Sequence, residues 1–312
     1  MSRFPYPAYP NGWFRVAYSA EIAVGELKPL HYFGRELVVF RGEDGDARVF
    51  DAHCPHLGAH LGHGGKVEGN GIRCPFHAWR FDGDGSCAEI PYAKRIPPKS
   101  SIAAWPVCEK NGIVFVHYDD QGKAPRYEIP ELPELQSDDW SVPENRFWNV
   151  RSRWFDMNEN AVDNIHFKYI HGVPNIPESV ISVDGHIFRV DNKMKMSTPK
   201  GDIDATLTTI DHGPGFQIVR IAGGIDTLML NTATPIDEDR TDVSFSYSVL
   251  HAGDEHKKRV GSARIRNLEH QFDQDLPIWE NKVYWDRPTL CAEDGDFGQY
   301  RRWMKQFFSD SW

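Results

Sequence analysis

The sequence predicts an α+β protein of two domains, the first all-β and the second an antiparallel sheet with a long helix near the C-terminus. Three observations support this. The length of 312 residues allows two domains at about 150 residues each. Short β-like runs alternate with Gly-containing turns up to about residue 120. Beyond that point, alternating runs precede a stretch at 262–286 whose apolar residues recur with helical spacing.

The composition excludes several classes of protein. The chain carries 35 Lys and Arg against 45 Asp and Glu, a net charge of −10, so it is a poor binder for a nucleic-acid backbone. A hydrophobic content of 40% supports real cores rather than disorder. No stretch approaches the ~20 apolar residues of a membrane helix, and the Pro- and Tyr-rich start has no secretory h-region. We therefore expect a cytoplasmic protein whose five Cys form no structural disulfides.

A Pro-rich crossing separates the two predicted domains. It runs from Pro125 to Pro143 and includes Pro130 and Pro133. The β-like runs with Gly turns end before it, and the composition becomes more acidic after it. We therefore predict a first domain at 1–120 and a second at 121–312.

The first domain is predicted to be built from antiparallel hairpins. Runs at 37–40 and 48–50 flank the turn 42–46, which is rich in Gly and Asp. Val67 and Ile72 flank a second such turn. Two further segments complete the series, a run at 79–81 before the turn 82–85 and an apolar strand at 113–116.

Two turns of this domain carry the strongest chemical signal. Each contains one Cys and one His, as Cys54-x-His56 and Cys74-x-x-His77. Mixed arms suit a cluster in which two thiolates hold one iron and two imidazoles hold the other, the Rieske [2Fe-2S] arrangement. The alternative is a zinc site, but a zinc finger usually groups its two Cys in one arm and its two His in the other. The pattern therefore favours a Rieske cluster.

These motifs resemble the Rieske domain of Rieske non-haem iron oxygenases. Respiratory Rieske proteins have two extra Cys in the ligand loops, where this chain has Ala59 and Phe76. They also have Ser and Tyr hydroxyls near the cluster, where this chain has Trp79 and Phe81. Fewer donors to sulfur stabilise the reduced cluster less. The resemblance thus implies a low-potential cluster of the oxygenase type.

The second domain contains a candidate for another iron site. The segment 155–166 is predicted to be helical, and it places Asp163 and His166 on one face. His171 lies five residues further on, about 140° around a continuous helix. Gly172 and Pro174 indicate that the helix has ended by then, so the chain can bring His171 back beside His166. The spacing of these three residues resembles the mononuclear-iron motif of the same oxygenases.

A 2-His-1-carboxylate site needs one more ligand, and the predicted helix 262–286 offers candidates. Its apolar stripe consists of Ile265, Leu268, Phe272, Leu276, Trp279 and Val283. Asp275 and Glu269 flank this stripe equally closely, whereas Asp273 lies further away and His270 points away. Periodicity alone leaves Asp275 and Glu269 as alternatives.

A closer resemblance distinguishes between these two carboxylates. The segment 274–282 is similar to the carboxylate segment of ketosteroid 9α-hydroxylase oxygenases and cholesterol 7-desaturases, and implies that Asp275 binds iron. The likeness covers 33–92, including 55–62 and 90–92, and returns at 288–295 and 301–303. Residues 175–260 carry no specific motif of the family, but their alternating runs at 203–210, 216–221 and 243–250 predict an antiparallel sheet. The resemblance implies that this sheet curves around the C-terminal helix, a helix-grip (START/Bet v1-like) fold that encloses the substrate.

The resemblance also implies a mechanism with named partners. A separate reductase or ferredoxin passes electrons from NAD(P)H to a [2Fe-2S] cluster on Cys54, His56, Cys74 and His77. Fe(II) is held by His166, His171 and Asp275 beside O2 and a small-molecule substrate. Asp163 accepts hydrogen bonds from His77 and His166, across subunits of a homotrimer. Asn160, one helical turn before Asp163, lies behind the iron ligands.

These features predict the oxygenase component of a Rieske monooxygenase that hydroxylates a C–H bond of a bulky apolar, steroid-like substrate. One alternative is an O-demethylase or hydroxylase of a smaller aromatic or alkaloid-like substrate. A remoter alternative is a Rieske ferredoxin, but about 190 residues with a second iron motif follow the cluster domain.

Overall fold

The computed structural model describes residues 4–198 and 201–308. The chain divides into two units, the first comprising Trp13–Pro130 and the second the remainder. The predicted domain boundary near residue 120 falls between the last strand of the first unit, which ends at Tyr118, and Pro130. Within the described ranges, no helix is both long enough and apolar enough to cross a membrane.

The first unit consists of short strands in three antiparallel sheets. The strands are β1 (Gly12–Tyr18), β2 (Leu27–Tyr32), β3 (Arg35–Arg41), β4 (Ala47–Asp51), β5 (Lys66–Glu68), β6 (Gly71–Arg73), β7 (Arg80–Phe81), β8 (Cys87–Glu89), β9 (Ala104–Trp105), β10 (Val107–Lys110) and β11 (Ile113–Tyr118). The sheet orders are β1-β11-β10, β2-β3-β4-β9 and β5-β6-β7-β8. A short 3-10 turn at Ser19–Glu21 follows β1.

The predicted hairpins of this unit are confirmed. Strands β3 and β4 pair across the turn 42–46, and Val67 lies opposite Ile72 in the β5–β6 pair. Side chains on the inner faces, including Phe40, Phe50 and Phe81, are fully buried in one core. The alternation of apolar residues with Gly turns was sufficient to predict these pairs because both signals are local in sequence.

The second unit is one seven-stranded antiparallel sheet with helices. The strands are β12 (Glu144–Val150), β13 (Glu178–Asp184), β14 (Ile187–Thr198), β15 (Gly201–His212), β16 (Phe216–Ala222), β17 (Thr227–Pro235) and β18 (Thr241–Val249). The helices are α1 (Trp154–Asn158), α2 (His166–Tyr169), α3 (Glu255–Trp279) and α4 (Phe297–Met304), with 3-10 turns at Pro133–Gln136, Glu159–Val162 and Lys305–Phe307. The order β12-β18-β17-β16-β15-β14-β13 confirms the predicted antiparallel sheet.

Helix α3 packs its apolar stripe on this sheet. Ile265 contacts a core of strand residues that includes Tyr247 and Val249, and Phe272 and Trp279 pack with Val150 and Val243. The helix also approaches the sheet closely at Gly261, where a Cβ atom would lie 2.6 Å from Cγ2 of Val249. The predicted fold, a sheet that packs around a long C-terminal helix, is therefore confirmed.

The ends of α3 differ from the prediction. The helix begins at Glu255 rather than Ser262, because the Asp254 side chain caps it by accepting hydrogen bonds from the N–H groups of residues 256 and 257. It ends at Trp279 rather than Asp286, two residues after Pro277, which lacks an N–H for the last turn. Val283 therefore lies beyond the helix and is 58% exposed.

The prediction of one continuous helix at 155–166 is wrong. Helix α1 ends at Asn158, a 3-10 turn follows, and Asp163 has ψ 89°, which no helix allows. A residue distant in sequence contacts the chain at this break. Gly295 lies so close to the Val162 carbonyl that a Cβ atom on it would be 1.7 Å from that oxygen. The Val162 carbonyl is therefore covered by another segment, and α2 starts anew at His166.

Candidate functional site

The Cys and His pairs of the first unit lie in two loops. Cys54 and His56 follow β4, and Cys74 and His77 connect β6 to β7. Backbone hydrogen bonds close both loops, with the N–H of Cys54 donating to the carbonyl of Ala59 (2.9 Å) and the N–H of Cys74 to that of Trp79 (2.8 Å). The ligand-bearing segments are thus tied by the main chain rather than by their own side chains.

The four side chains are buried or paired in a way that leaves the Nδ1 atoms of both imidazoles without hydrogen-bond partners. The two thiols are buried, with 2% of Cys54 and 4% of Cys74 exposed. The rings of His56 and His77 lie 4.6 Å apart between centroids, and the Nδ1 atoms of both are buried without a hydrogen-bond partner. Buried polar atoms normally have a partner. The arrangement therefore fits a cluster that the two Nδ1 atoms would ligate.

The surroundings of Cys54 disfavour its thiolate in the absence of a metal. The pKa of Cys54 is raised to about 11. Burial is the main cause and the neighbouring Cys74 adds to it, whereas the backbone N–H of His56, which donates to the sulfur, acts in the opposite direction. Neither Cys forms a disulfide. A metal must replace the proton of such a thiol. Trp79 stacks flat on His56 at 4.7 Å and holds its ring in place.

The second unit brings together the three residues that the sequence analysis assigned to iron. One ligand atom of each of His166, His171 and Asp275 lies within 4.8 Å of the other two. Among the residues that the structure describes, no other group of three such side chains converges in this way. Two imidazoles and one carboxylate form the donor set of non-haem Fe(II) sites, so the residues present fit that metal.

His171 is held from both sides by helix α3. Its Nδ1 atom lies 3.1 Å from Oε1 of Gln274, and its Nε2 atom lies 3.4 Å from Oδ2 of Asp275. Burial lowers the pKa of His171, but the hydrogen bond and charge of Asp275 outweigh it, so the pKa is raised. If Nδ1 donates to the amide oxygen of Gln274, the Nε2 lone pair faces Asp275 and is available to a metal.

His166 is oriented by the turn that precedes it. Its Nδ1 atom contacts the main-chain carbonyl of Asp163, and its Nε2 atom lies 3.1 Å from Nδ2 of Asn160. The carboxylate of Asp163 accepts the backbone N–H of His166 (3.2 Å) and lies 3.8 Å from Nδ1. Within this chain, the ring is therefore bound by the carbonyl of Asp163 rather than by its carboxylate. Burial raises the pKa of Asp163, but the hydrogen bonds and charge of His166 outweigh burial, so the pKa of Asp163 is lowered.

The other acidic candidates on α3 have different partners. Glu269 forms an ion pair with Arg146 of β12 at 2.5 Å. Asp273 is exposed and accepts a hydrogen bond from the indole of Trp148 at 3.2 Å. His270 is exposed. The structure thus places Asp275 beside His171 and Glu269 elsewhere.

Three residues that support this site were not identified from sequence. Gln274 contacts His171, Gly295 approaches Val162, and Arg301 of α4 forms a buried ion pair with Glu159. All lie in segments that carried the family resemblance, but their partners are more than a hundred residues away in sequence. No local signal could have paired them.

The iron-site residues line a cavity of the second unit. Its volume is about 190 Å³, within a wider recess of about 1120 Å³ that includes open solvent. Its walls are formed by α3, by strands β14 to β18 and by the segment 157–171. Most of the lining is apolar and includes Leu207, Phe245 and Phe272. Such a cavity can hold an apolar organic molecule next to the three ligands.

Family models match both parts of the chain. Residues 12–106 match the Rieske [2Fe-2S] domain, and residues 116–308 match the 3-ketosteroid 9α-hydroxylase C-terminal domain. A catalytic domain therefore follows the cluster domain, which excludes the interpretation as a simple Rieske ferredoxin.

Curated relatives cover nearly the whole chain. A probable 3-ketosteroid-9-alpha-monooxygenase oxygenase component from Rhodococcus rhodochrous is 35% identical over 98% of this chain and 82% of its own length. A cholesterol 7-desaturase from Ciona intestinalis is 30% identical over 98% of this chain and 70% of its own length.

Solved structures share the fold at lower identity. Dicamba monooxygenase bound to dicamba superimposes with a TM-score of 0.79 at 18% identity, covering 97% of this chain and 98% of that one. NdmA of Pseudomonas putida CBB5 with caffeine gives 0.76 at 19% identity, covering 94% and 89%. The chain therefore belongs to the Rieske oxygenases, in the family of 3-ketosteroid 9α-hydroxylase oxygenase components.

Proposed function

We propose that this protein is the oxygenase component of a monooxygenase that hydroxylates a C–H bond of a bulky, apolar, steroid-like substrate. One observation carries the proposal. His166, His171 and Asp275 meet at the wall of a cavity whose remaining lining is mostly apolar. A metal held there would face a bound hydrocarbon directly.

The proposal assigns two metal groups to this chain. Cys54, His56, Cys74 and His77 hold a [2Fe-2S] cluster, and His166, His171 and Asp275 hold Fe(II). When bound, these groups supply the two-electron reduction of O2 by which one oxygen atom enters the C–H bond and the other leaves as water with two protons.

The protein's own residues orient the ligands and exclude water. Gln274 fixes the ring of His171 through Nδ1, and the carbonyl of Asp163 does the same for His166. Asn160 occupies the Nε2 side of His166, so its amide must turn aside when a metal binds that atom. Phe272 and Trp279 line the cavity beside Asp275 and keep its floor apolar.

The steroid-like class follows from the relatives and from the lining of the cavity. The names of the relatives refer to 3-ketosteroid oxidation and cholesterol desaturation, and most residues that line the cavity are apolar. The alternative, a smaller aromatic substrate, draws only on structures such as dicamba monooxygenase that share the fold at 18% identity.

The partners belong to the same proposal. A separate reductase or ferredoxin delivers electrons from NAD(P)H. The chain forms a homotrimer in which the carboxylate of Asp163, 32% exposed, accepts a hydrogen bond from His77 of a neighbouring subunit. The protein works in the cytoplasm, where Cys87, Cys108 and Cys291 remain thiols.

Turnover with defined substrates tests this function. The iron-loaded protein, a Rieske reductase and NADH are incubated under ¹⁸O2 with androst-4-ene-3,17-dione, with cholesterol or with an aryl methyl ether. We expect a steroid product that contains a single ¹⁸O atom. Formaldehyde from the ether, with both steroids unchanged, would contradict the proposal. Light scattering of the holoenzyme tests the trimer separately.

A further inference from the structure

A row of hydrogen-bonded polar side chains crosses the wall of the cavity, most of whose lining is apolar. Asp211 of β15, Gln217 of β16 and Asn231 of β17 are direct neighbours across the sheet, Asp211 opposite Gln217 and Gln217 opposite Asn231. All three line the cavity. None of them belongs to the ligand segments at 160–171 or 274–275.

Hydrogen bonds join the row in one direction. Nδ2 of Asn231 donates to Oε1 of Gln217 at 2.9 Å, and Nε2 of Gln217 donates to Oδ1 of Asp211 at 2.7 Å. The amide oxygen and the amide nitrogen of Gln217 are therefore both hydrogen-bonded, which fixes the orientation of this side chain. Asp211 and Asn231 are the two ends of the row.

The two ends retain unused hydrogen-bonding atoms. Oδ2 of Asp211 and Oδ1 of Asn231 are buried and have no hydrogen-bond partner. Only 3% of Asp211 and 9% of Asn231 is exposed. A buried polar atom without a partner is costly, so a group that enters the cavity and pairs with these atoms would recover that cost on binding.

The charge of the cavity limits which group can enter. The lining, as far as the structure describes it, contains no Lys or Arg. Burial raises the pKa of Asp211 to about 7, against the lowering effect of the Gln217 hydrogen bond. Below that pH the acid is neutral and its O–H can donate. An anionic ligand would have no basic partner beside this acid, whereas a neutral oxygen would be accepted.

We propose that Asp211, Gln217 and Asn231 form a subsite that anchors an uncharged hydroxyl or carbonyl oxygen of the substrate and rejects carboxylates. This inference rests on the proposed function and narrows it to apolar substrates with a neutral oxygen group. Asp211 supplies the O–H donor, Asn231 supplies an acceptor for a hydroxyl, and Gln217 positions both. The three residues position the substrate and do not hold the metal.

A structural role for Asp211 is the competing explanation. The hydroxyl of Tyr300 on α4 is also buried, with Asn158 beside it, and the Asp211 charge acts on it. A buried water between the two groups would satisfy both without any ligand. In that case a substitution at Asp211 would affect stability and would not distinguish one ligand from another.

Ligand binding to the holoenzyme separates the two roles. Dissociation constants are measured calorimetrically for four probes, the three ketones at pH ~6, below the raised Asp211 pKa, and the carboxylate at pH ~8, above it. These are androst-4-ene-3,17-dione, androst-4-en-3-one, 5α-androstan-17-one and the steroid carboxylate lithocholate. The proteins are wild type, Asp211→Leu, Asp211→Asn and the control Asp204→Asn, an exposed position on the same strand.

We expect one of the mono-ketones to bind the wild type about tenfold more weakly than the dione, the effect of one lost hydrogen bond. Asp211→Leu should bind the dione and that mono-ketone equally. Asp211→Asn keeps an N–H donor, so it should retain dione affinity. At pH ~8, where the wild-type acid is charged and the amide is not, Asp211→Asn should bind lithocholate several-fold more tightly than the wild type. Asp204→Asn should match the wild type throughout.

Two results would overturn the subsite. One is that Asp211→Leu loses the same affinity for all three ketones, or loses no affinity for any of them. The other, which also serves if that variant does not fold, is unchanged lithocholate affinity in Asp211→Asn. A wild type that binds no ketone at all would refute the steroid-like function itself, so the two failures are distinguishable.

Discussion

The buried ion pair between Glu159 and Arg301 is expected to hold the iron-site turn in place. The Arg301 Nε atom contacts Oε1 of Glu159, and the two side chains are only 15% and 6% exposed. Arg301 also donates from Nη1 to the carbonyls of Trp285 (2.8 Å) and Asp286 (3.1 Å). It therefore connects α4, the segment after α3 and the turn that leads to Asn160 and the metal ligands.

The substitution Arg301→Met keeps an apolar stem but removes the nearer partner of the buried Glu159 carboxylate, whose Oε2 atom still lies 3.9 Å from Nζ of Lys282. Removal of one member of a buried ion pair costs about 3–5 kcal/mol. For a domain of this size, each kcal/mol lowers Tm by about 2–4 °C. Because Lys282 still faces the carboxylate, we expect a decrease at the lower end of about 6–20 °C. Because Glu159 immediately precedes Asn160, iron occupancy should also fall.

Two further variants make the measurement specific. Arg302→Met changes the neighbouring exposed arginine, and should alter stability by less than about 0.5 kcal/mol. The double variant Glu159→Gln with Arg301→Met removes both charges, so it should recover part of the stability that the single variant loses.

Thermal unfolding followed by circular dichroism gives Tm, and metal analysis gives iron per chain. The ion pair would not stabilise this turn if Arg301→Met lowered the free energy of unfolding by less than about 1 kcal/mol. The same conclusion would follow if the double variant were no more stable than the single one.

Three other predictions concern the metal sites. Cys54→Ser or His77→Ala should abolish the Rieske visible and EPR spectra, because each removes a cluster ligand; a normal spectrum would refute the assignment. Asp275→Ala should lose the mononuclear iron and turnover while it keeps the Rieske spectrum, whereas Glu269→Ala should retain the iron. If the two phenotypes were reversed, Glu269 rather than Asp275 would be the third ligand. Asp163→Asn should fold, keep both centres and fail in turnover; unchanged cluster oxidation in single-turnover kinetics would rule out its bridging role.

The fold was largely predictable because its signals are local. Alternating residues and Gly turns identify the hairpins, and the spacing of Ile265, Phe272 and Trp279 identifies the face of α3 that packs on the sheet. The break at Asp163 was not predictable. It coincides with the close approach of Gly295 to the carbonyl of Val162, a contact between residues far apart in sequence.

The choice of the third iron-site carboxylate shows the same limit. Periodicity places Asp275 and Glu269 equally close to the apolar stripe of α3 and cannot separate them. In the structure, Glu269 is paired with Arg146 of β12, while Asp275 lies 3.4 Å from His171. Neither partner is near its carboxylate in sequence, so the family resemblance was needed to favour Asp275 before the structure was known.

In the second unit, the residues proposed to bind iron and the polar row of the cavity lie on different elements. The iron-site residues lie on short segments that α3, Gly295 and Arg301 hold from outside the sheet. The polar row of Asp211 and its neighbours lies on β15 to β17. No residue belongs to both groups, so a substitution in these strands can change which molecule fits without moving a ligand atom. The short motifs that suggested the family from sequence lie outside these strands, and we therefore expect substrate choice to depend on the strands.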